Sequence, residues 1–250
     1  MRRTSRACVF AVVLALAITT TAAPARAAVD WTSLIVNVVT KLFSGGGSND
    51  AALQAAVRQI IDAVNGSKAD IIAHTDVLAS AEVRACARQH AIEFTDIDNM
   101  NPTTLQIWAQ NATGCATLAS AYLSAVTAPQ AVHDIGVALG PIFTIAAAAR
   151  ARAGLVNGTD LLVRDEISSY QKVVVKLTPS DCTKYRAKEP GFPVEKWWEC
   201  TAFNGDVGQS DWVTGSNLEP DRTQAENRAT RNTSRPLAQD AVPRLVAILP

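Results

Sequence analysis

Apolar residues recur at helical spacing through the first two thirds of the chain. Leu53, Ala56, Val57, Ile60, Ile61 and Val64 share one face, and Gln54, Arg58 and Asp62 take the other. That division marks an amphipathic helix packed on one side. Ahead of it, Trp31, Leu34, Ile35, Val38, Val39 and Leu42 predict a shorter helix, closed by a linker at Ser44-Gly45-Gly46-Gly47-Ser48. The glycine run lacks the Gly-Lys-Ser/Thr ending of a phosphate-cradling loop. Asn65-Gly66 reads as a turn, because both residues tolerate the backbone angles that turns require. Beyond it Ile71, Leu78, Ala85 and Ile92 form a heptad repeat that predicts a long helix over residues 67–96.

Asn101-Pro102 marks a stop and restart, since proline suits the first position of a helix. The restarted helix carries Leu105, Trp108, Ala112, Cys115, Ala119 and Tyr122 on one face and reaches Val126. After Thr127-Ala128-Pro129 a further helix runs to about Ala153, with a kink expected at Gly140-Pro141. Asn157-Gly158-Thr159 then breaks the chain before a helix from Asp160 to Lys176. From Thr178 onward Pro, Gly, Trp, Asp and Asn dominate, which predicts short strands or irregular structure, with closing helices near Thr223–Thr230 and Leu237–Leu249. The expected fold is therefore mainly α: a disulfide-stapled helical bundle of five to six helices over residues 28–178, followed by a smaller loop-rich region over 179–250.

Residues 1–27 read as a secretory signal peptide. Arg2, Arg3 and Arg6 form a basic start, Val9 to Ile18 an apolar run, and Ala25-Arg26-Ala27 a small-residue cleavage site. Cleavage would change the charge balance. The full chain has 23 basic and 23 acidic residues, and losing Arg2, Arg3, Arg6 and Arg26 leaves a net charge of −4. A mildly acidic exported protein has no electrostatic footprint for nucleic acid. Sixteen arginines against seven lysines, with abundant alanine, fit a GC-rich bacterial genome.

Export makes the cysteines informative, because an even number in an oxidising compartment is expected to pair. Cys8 leaves with the signal and four remain. The midpoint between Cys86 and Cys115 falls at Met100-Asn101, beside Pro102, so two antiparallel helices meeting there bring them level, each rising about 1.5 Å per residue. Cys182 and Cys200 lie together in the second region. The expected pairs are Cys86–Cys115 and Cys182–Cys200, each contributing roughly 3 kcal/mol by loop-closure entropy.

Catalytic chemistry finds little support. His74, His90 and His133 are the only histidines, and all fall within predicted helix. His90 and Glu93, with Asp96 and Asp98 a turn further on, come nearest to a metal constellation. The chain nevertheless has no Glu-x-x-His pair of the kind that helical di-metal sites use, so these residues read as a solvated polar face. There is no Gly-x-Ser-x-Gly elbow, no His-Glu-x-x-His and no Cys-x-x-Cys. Glu195, Glu199, Asp206 and Asp211 read as ordinary surface acids. The sequence thus implies no cofactor and no metal, and leans away from an enzyme.

Two features remain. Trp197, Trp198 and Trp212 concentrate near acids and amides around the second expected disulfide, forming a possible ligand surface for a protein or glycan partner, although at least one of the adjacent tryptophans is expected in the core. The run from Ile135 to Ala149 carries no charge. It covers about 22 Å as a helix, short of the roughly 30 Å hydrocarbon layer, so a central buried helix is expected ahead of a membrane-inserting one. The resulting expectation is a secreted, extracellular binding or interaction protein. A membrane-active helical protein and a carbohydrate-binding or carbohydrate-active protein are the alternatives.

Overall fold

The computed structural model describes residues 29–45, 50–78, 81–188, 190–215 and 217–250. The signal-peptide reading, Gly46-Gly47-Ser48 of the expected linker and the side chain of His74 lie outside the described residues. Eight α-helices and a small antiparallel sheet are formed among the described residues, a mainly α fold with two disulfides.

Helix starts follow local capping chemistry. Asp30 caps α1 (Trp31–Phe43) by accepting the Ser33 N–H at 2.9 Å. Asp50 does the same for Leu53 N–H, at 2.9 Å, where α2 (Ala51–Asp76) begins. Asn101 caps α4 (Pro102–Ala125) through Thr104 N–H at 2.9 Å, with Pro102 in the first turn. Each side chain satisfies a backbone donor that the helix itself leaves orphaned.

The second and third helices depart from expectation. α2 runs straight through Asn65-Gly66, and α3 (Ala81–Glu93) starts only after a break past Val77. The helix continues because Leu53, Val57, Ile60, Val64, Ser67 and Ile71 are all buried at uninterrupted helical spacing, so tertiary packing outweighs the turn preference of one dipeptide. The heptad does not mark the buried stripe of α3 either. Ala85 and Ile92 face solvent, while Val83, Ala87, His90 and Ala91 are buried. A 3₁₀ segment (Phe94–Asn99) then turns the chain into α4. α3 and α4 form the expected antiparallel pair, and Cys86 and Cys115 are bonded across it with Cα atoms 5.7 Å apart.

α5 (Pro129–Arg152) occupies the middle of the bundle and continues past Pro141. It packs against α1, α2, α3 and α4 and against α6 (Thr159–Lys176). Its residues from Ala138 to Ala149 are all buried, as an all-round apolar helix requires. At Gly140 a Cβ atom would lie 2.9 Å from Trp31 Cβ, so the glycine permits close contact with α1.

The second region is more ordered than its composition predicts. β1 (Asp181–Ala187), β2 (Glu195–Thr201), β3 (Val207–Gln209) and β4 (Val213–Thr214) form an antiparallel sheet, with β1 on one edge of β2 and β3 and β4 along the other. Cys182 and Cys200 face each other across β1 and β2 and are bonded. α7 (Arg222–Ala229) lies on one face of the sheet. α8 (Arg235–Val246) returns to the bundle, where Ala238, Ala241 and Leu245 join the main core beside α6 and α1. Arg244 of α8 reaches the α1 cap, 3.1 Å from Asp30.

Candidate functional site

Period-two alternation along β2 sends neighbouring side chains to opposite faces of the sheet. Lys196, Trp198 and Cys200 point toward α7. There Cys200, Ala202, Ala225 and Ala229 form a small core against which Cys182 and Trp198 pack. The contact is so close at Gly208 that a Cβ atom would sit 2.1 Å from the Ala229 backbone nitrogen. The Arg222 guanidinium lies 5.5 Å from the Trp198 ring centroid, and Lys196 Nζ donates to Leu218 O at 3.0 Å and to Glu219 at 3.2 Å.

Trp197 points the other way, onto the face opposite α7, which no helix covers among the described residues. It stacks between Tyr185 of β1 and Trp212, which precedes β4. The Tyr185 and Trp197 centroids are 5.3 Å apart with planes 14° from parallel, and the Trp197 and Trp212 centroids are 4.7 Å apart at 16°. Tyr185 is 39% and Trp212 56% exposed. Beyond the stack on the same face, Gln209 donates its amide to Glu199 at 2.6 Å, and the Asp181–Thr201 rung ends the strand pair. The three tryptophans singled out in sequence are thus divided: Trp197 and Trp212 meet with a tyrosine that composition did not flag, and Trp198 lies on the far side under α7.

That stack leaves few ring faces open. Trp197 is covered on both sides, so the outer faces of Tyr185 and Trp212 are the aromatic surfaces presented to a ligand. Stacked rings of this geometry hold each other in place, so open ring faces remain at the two ends of the stack.

The neighbouring acids are engaged elsewhere. Asp206 accepts from Asn232 and Asn204, and Asp211 from Gln224 and Arg228. These hydrogen bonds hold both carboxyls below the usual aspartate range. They brace the loops between the strands and α7.

Where the strand pair meets the bundle, a groove of about 290 Å³ opens between the end of α6, the start of α5 and the sheet. Lys176, Ser180, Asp181, Thr201, Phe203 and Pro129 contribute to its walls. Phe203 is 36% exposed, and its ring sits 6.1 Å from that of His133 on α5.

The histidine–acid group suggested by sequence does not converge. His90 is buried, not solvated, with its ring edge-on to Trp108 at 5.2 Å. Burial lowers its pKa, partly offset by the Glu93 charge and a backbone hydrogen bond at Asn111. Glu93 accepts the Trp108 indole N–H at 2.6 Å. Asp96 faces solvent, and Asp98 pairs with Arg58 at 2.9 Å and with Arg152 at 3.0 Å. No group of three or more His, Cys, Asp or Glu among the described residues is placed to hold a metal ion.

One polar residue escaped sequence reading. Glu166 is fully buried on α6 with both carboxylate oxygens unpartnered among the described residues, and burial raises its pKa well above the ordinary glutamate value. The signal was present: Leu162, Val163, Glu166, Ile167, Tyr170 and Val173 share the buried stripe of one helix.

α5 is long and apolar enough to cross a membrane, and 78% of its apolar window is buried inside the bundle. Asp134 is the only Asp, Glu, Lys or Arg between Asp98 and Arg150. Comparison of the chain with protein-family models, curated proteins and solved structures gives no match. The two formed disulfides fit an oxidising compartment.

Proposed function

We propose that this chain is an exported binding protein, and that its contact surface is the face of the C-terminal sheet opposite α7. The observation that carries this reading is the Tyr185–Trp197–Trp212 stack, exposed at both ends on a sheet whose other face is covered by α7. Exposed aromatics of limited conformational freedom are the side chains that dominate binding energies at interfaces. The bundle supplies the rigid base, and two disulfides suit a molecule that works outside the reducing cytosol. Cleavage after residue 27 would release it from its secretory signal.

A glycan partner is the second reading, favoured by the open outer face of Trp212 beside the Glu199–Gln209 pair. The membrane-active reading has the length and composition of α5 in its favour. Its burial and the covalent tie between α3 and α4 weigh against it.

Glycan and peptide arrays probed with the purified protein test the proposal. A binder is expected whose affinity falls by about 2 kcal/mol or more in Trp212→Ala, with the bundle unaltered by circular dichroism. Binders indifferent to both Trp212→Ala and Tyr185→Ala would overturn the assignment of this face. Dye release from liposomes by the oxidised protein would instead favour membrane action.

A further inference from the structure

We propose that the groove between bundle and sheet is a binding site for a small primary amine, taken in its ammonium form. This goes beyond the aromatic-face reading and does not depend on it.

Two charged residues, Lys176 and Asp181, line the groove among the described residues. The Lys176 ammonium keeps its charge, but its three N–H donors are already engaged. Its Nζ donates to Leu123 O at 2.8 Å, Ser124 O at 3.1 Å and Val126 O at 2.6 Å, capping the end of α4. An ammonium has three N–H donors, so none is left for an incoming anion. Asp181, by contrast, makes no hydrogen bond or ion pair through its side chain with any described residue, and its carboxylate is the unspent charge of the groove. The groove therefore offers a free carboxylate acceptor and no free N–H donor from Lys176, a pattern that suits a ligand carrying its own N–H donors.

The remaining walls narrow the chemistry. The Ser180 and Thr201 hydroxyls border the same space, and Thr201 stands directly opposite Asp181 across the strand pair. A carboxylate and two hydroxyls supply the acceptors that one primary ammonium can fill. A quaternary ammonium has no N–H to give them, and among the described residues the groove has one aromatic wall, Phe203, where recognition of methylated cations uses a cage of several. Phe203, partly exposed in the groove wall with its ring 6.1 Å from that of His133, is available to the ammonium or to the adjoining methylene. At about 290 Å³ the groove lies at the lower limit of small-molecule pockets. It suits a short amine or the aminoethyl end of a larger molecule.

Ethanolamine can serve as the probe, with choline and glucose as controls, titrated against the full disulfide-bonded protein and followed by amide chemical shifts in NMR. Ethanolamine is expected to give saturable shifts confined to residues near 180–182 and 201–203, and choline a weaker response. Asp181→Asn, exposed and nearly isosteric, should weaken ethanolamine binding at least tenfold, and Phe203→Ala several-fold. Co-sedimentation with phosphatidylethanolamine against phosphatidylcholine vesicles separates two sources of the same chemistry. Asp181-dependent capture on the former identifies a lipid headgroup, and its absence alongside ethanolamine binding identifies a free amine. The proposal is overturned if ethanolamine gives no saturable shift, if Asp181→Asn responds like the parent, or if glucose binds with equal strength.

Discussion

Glu166 sits one helical turn before Tyr170 on α6, and both side chains are enclosed in the bundle with no hydrogen-bond partner among the described residues. Burial raises the Tyr170 pKa well above its usual value, and the nearby Glu166 raises it further. α4, which packs against α6, contains no Asp, Glu, Lys or Arg, and on the polar side Ser169 donates to Ser120 at 2.9 Å. Burial alone raises the Glu166 pKa, with no offsetting contribution from a cation among the described residues.

The pH dependence follows from that environment. Below the ordinary glutamate range both folded and unfolded chains hold the Glu166 proton, and the group has no effect on stability. As pH rises through that range the unfolded chain releases the proton while the folded chain keeps it, because the folded pKa is raised. Stability then falls by up to about 1.4 kcal/mol per pH unit until the folded pKa is reached. Glu166→Gln removes this component, so its stability relative to the parent should improve from acid to neutral pH in urea unfolding. Parallel stability curves for the two proteins would contradict the assignment.

The disulfides should separate into a structural and a local effect. Cys86→Ser combined with Cys115→Ser should cost about 3 kcal/mol of stability, read as a lower denaturant midpoint with the helical signal intact in buffer. Cys182→Ser with Cys200→Ser should instead raise hydrogen exchange in β1 and β2 and leave the bundle amides protected.

Much of this arrangement was legible before the structure, for reasons that can be named. The Cys86–Cys115 pair followed from the constant rise of two helices about one proline break, a relation that survives the 3₁₀ segment at the turn. Asn65-Gly66 misled because turn preference is local, whereas the buried line from Leu53 through Ser67 to Ile71 is a property of packing. Short strands were among the expectations for the second region, but their pairing into a sheet was hidden, because β3 and β4 are three and two residues long, too short for an alternating pattern to emerge. Trp197-Trp198 held the clue to its two faces, since adjacent residues of a strand must part company. Tyr185 could not be placed beside Trp197 without the strand register, nor could Asp181 be set in a groove with Phe203.

Gly208→Ala should undo the packing of α7. Its new methyl would sit 2.1 Å from Ala229 N and 2.4 Å from Ala225 O, both backbone atoms of that helix. Overpacking of this kind costs about 1–3 kcal/mol or more. The expected result is lost protection in α7 and β3, with α1 to α6 retaining native exchange rates. A variant that exchanges like the parent throughout would show that α7 shifts freely.

Arg235 ties the two regions together through buried polar contacts. It donates to Asn227 at 2.7 Å and to Val174 O of α6 at 3.4 Å, and lies 3.7 Å from Glu226. Arg235→Met would leave Glu226 nearly buried without that partner, although Arg222 still contacts it at 2.8 Å. A loss of about 3 kcal/mol is expected, measured by thermal unfolding. Restoring most of it by adding Glu226→Gln would show that the stranded charge causes the loss, and no restoration would assign it to packing.

The two disulfides also decide how this chain behaves when drawn out by force. They withhold closed segments of 29 and 18 residues, about 160 Å of contour at ~3.4 Å per residue. The central helix α5 lies between them, in the stretch of chain that remains free to extend. A channel or unfolding motor threading the oxidised protein would therefore pull the hydrophobic centre straight while each staple still passes as more than one strand. The width of such a passage, and not the stability of the core, would then set whether the molecule gets through.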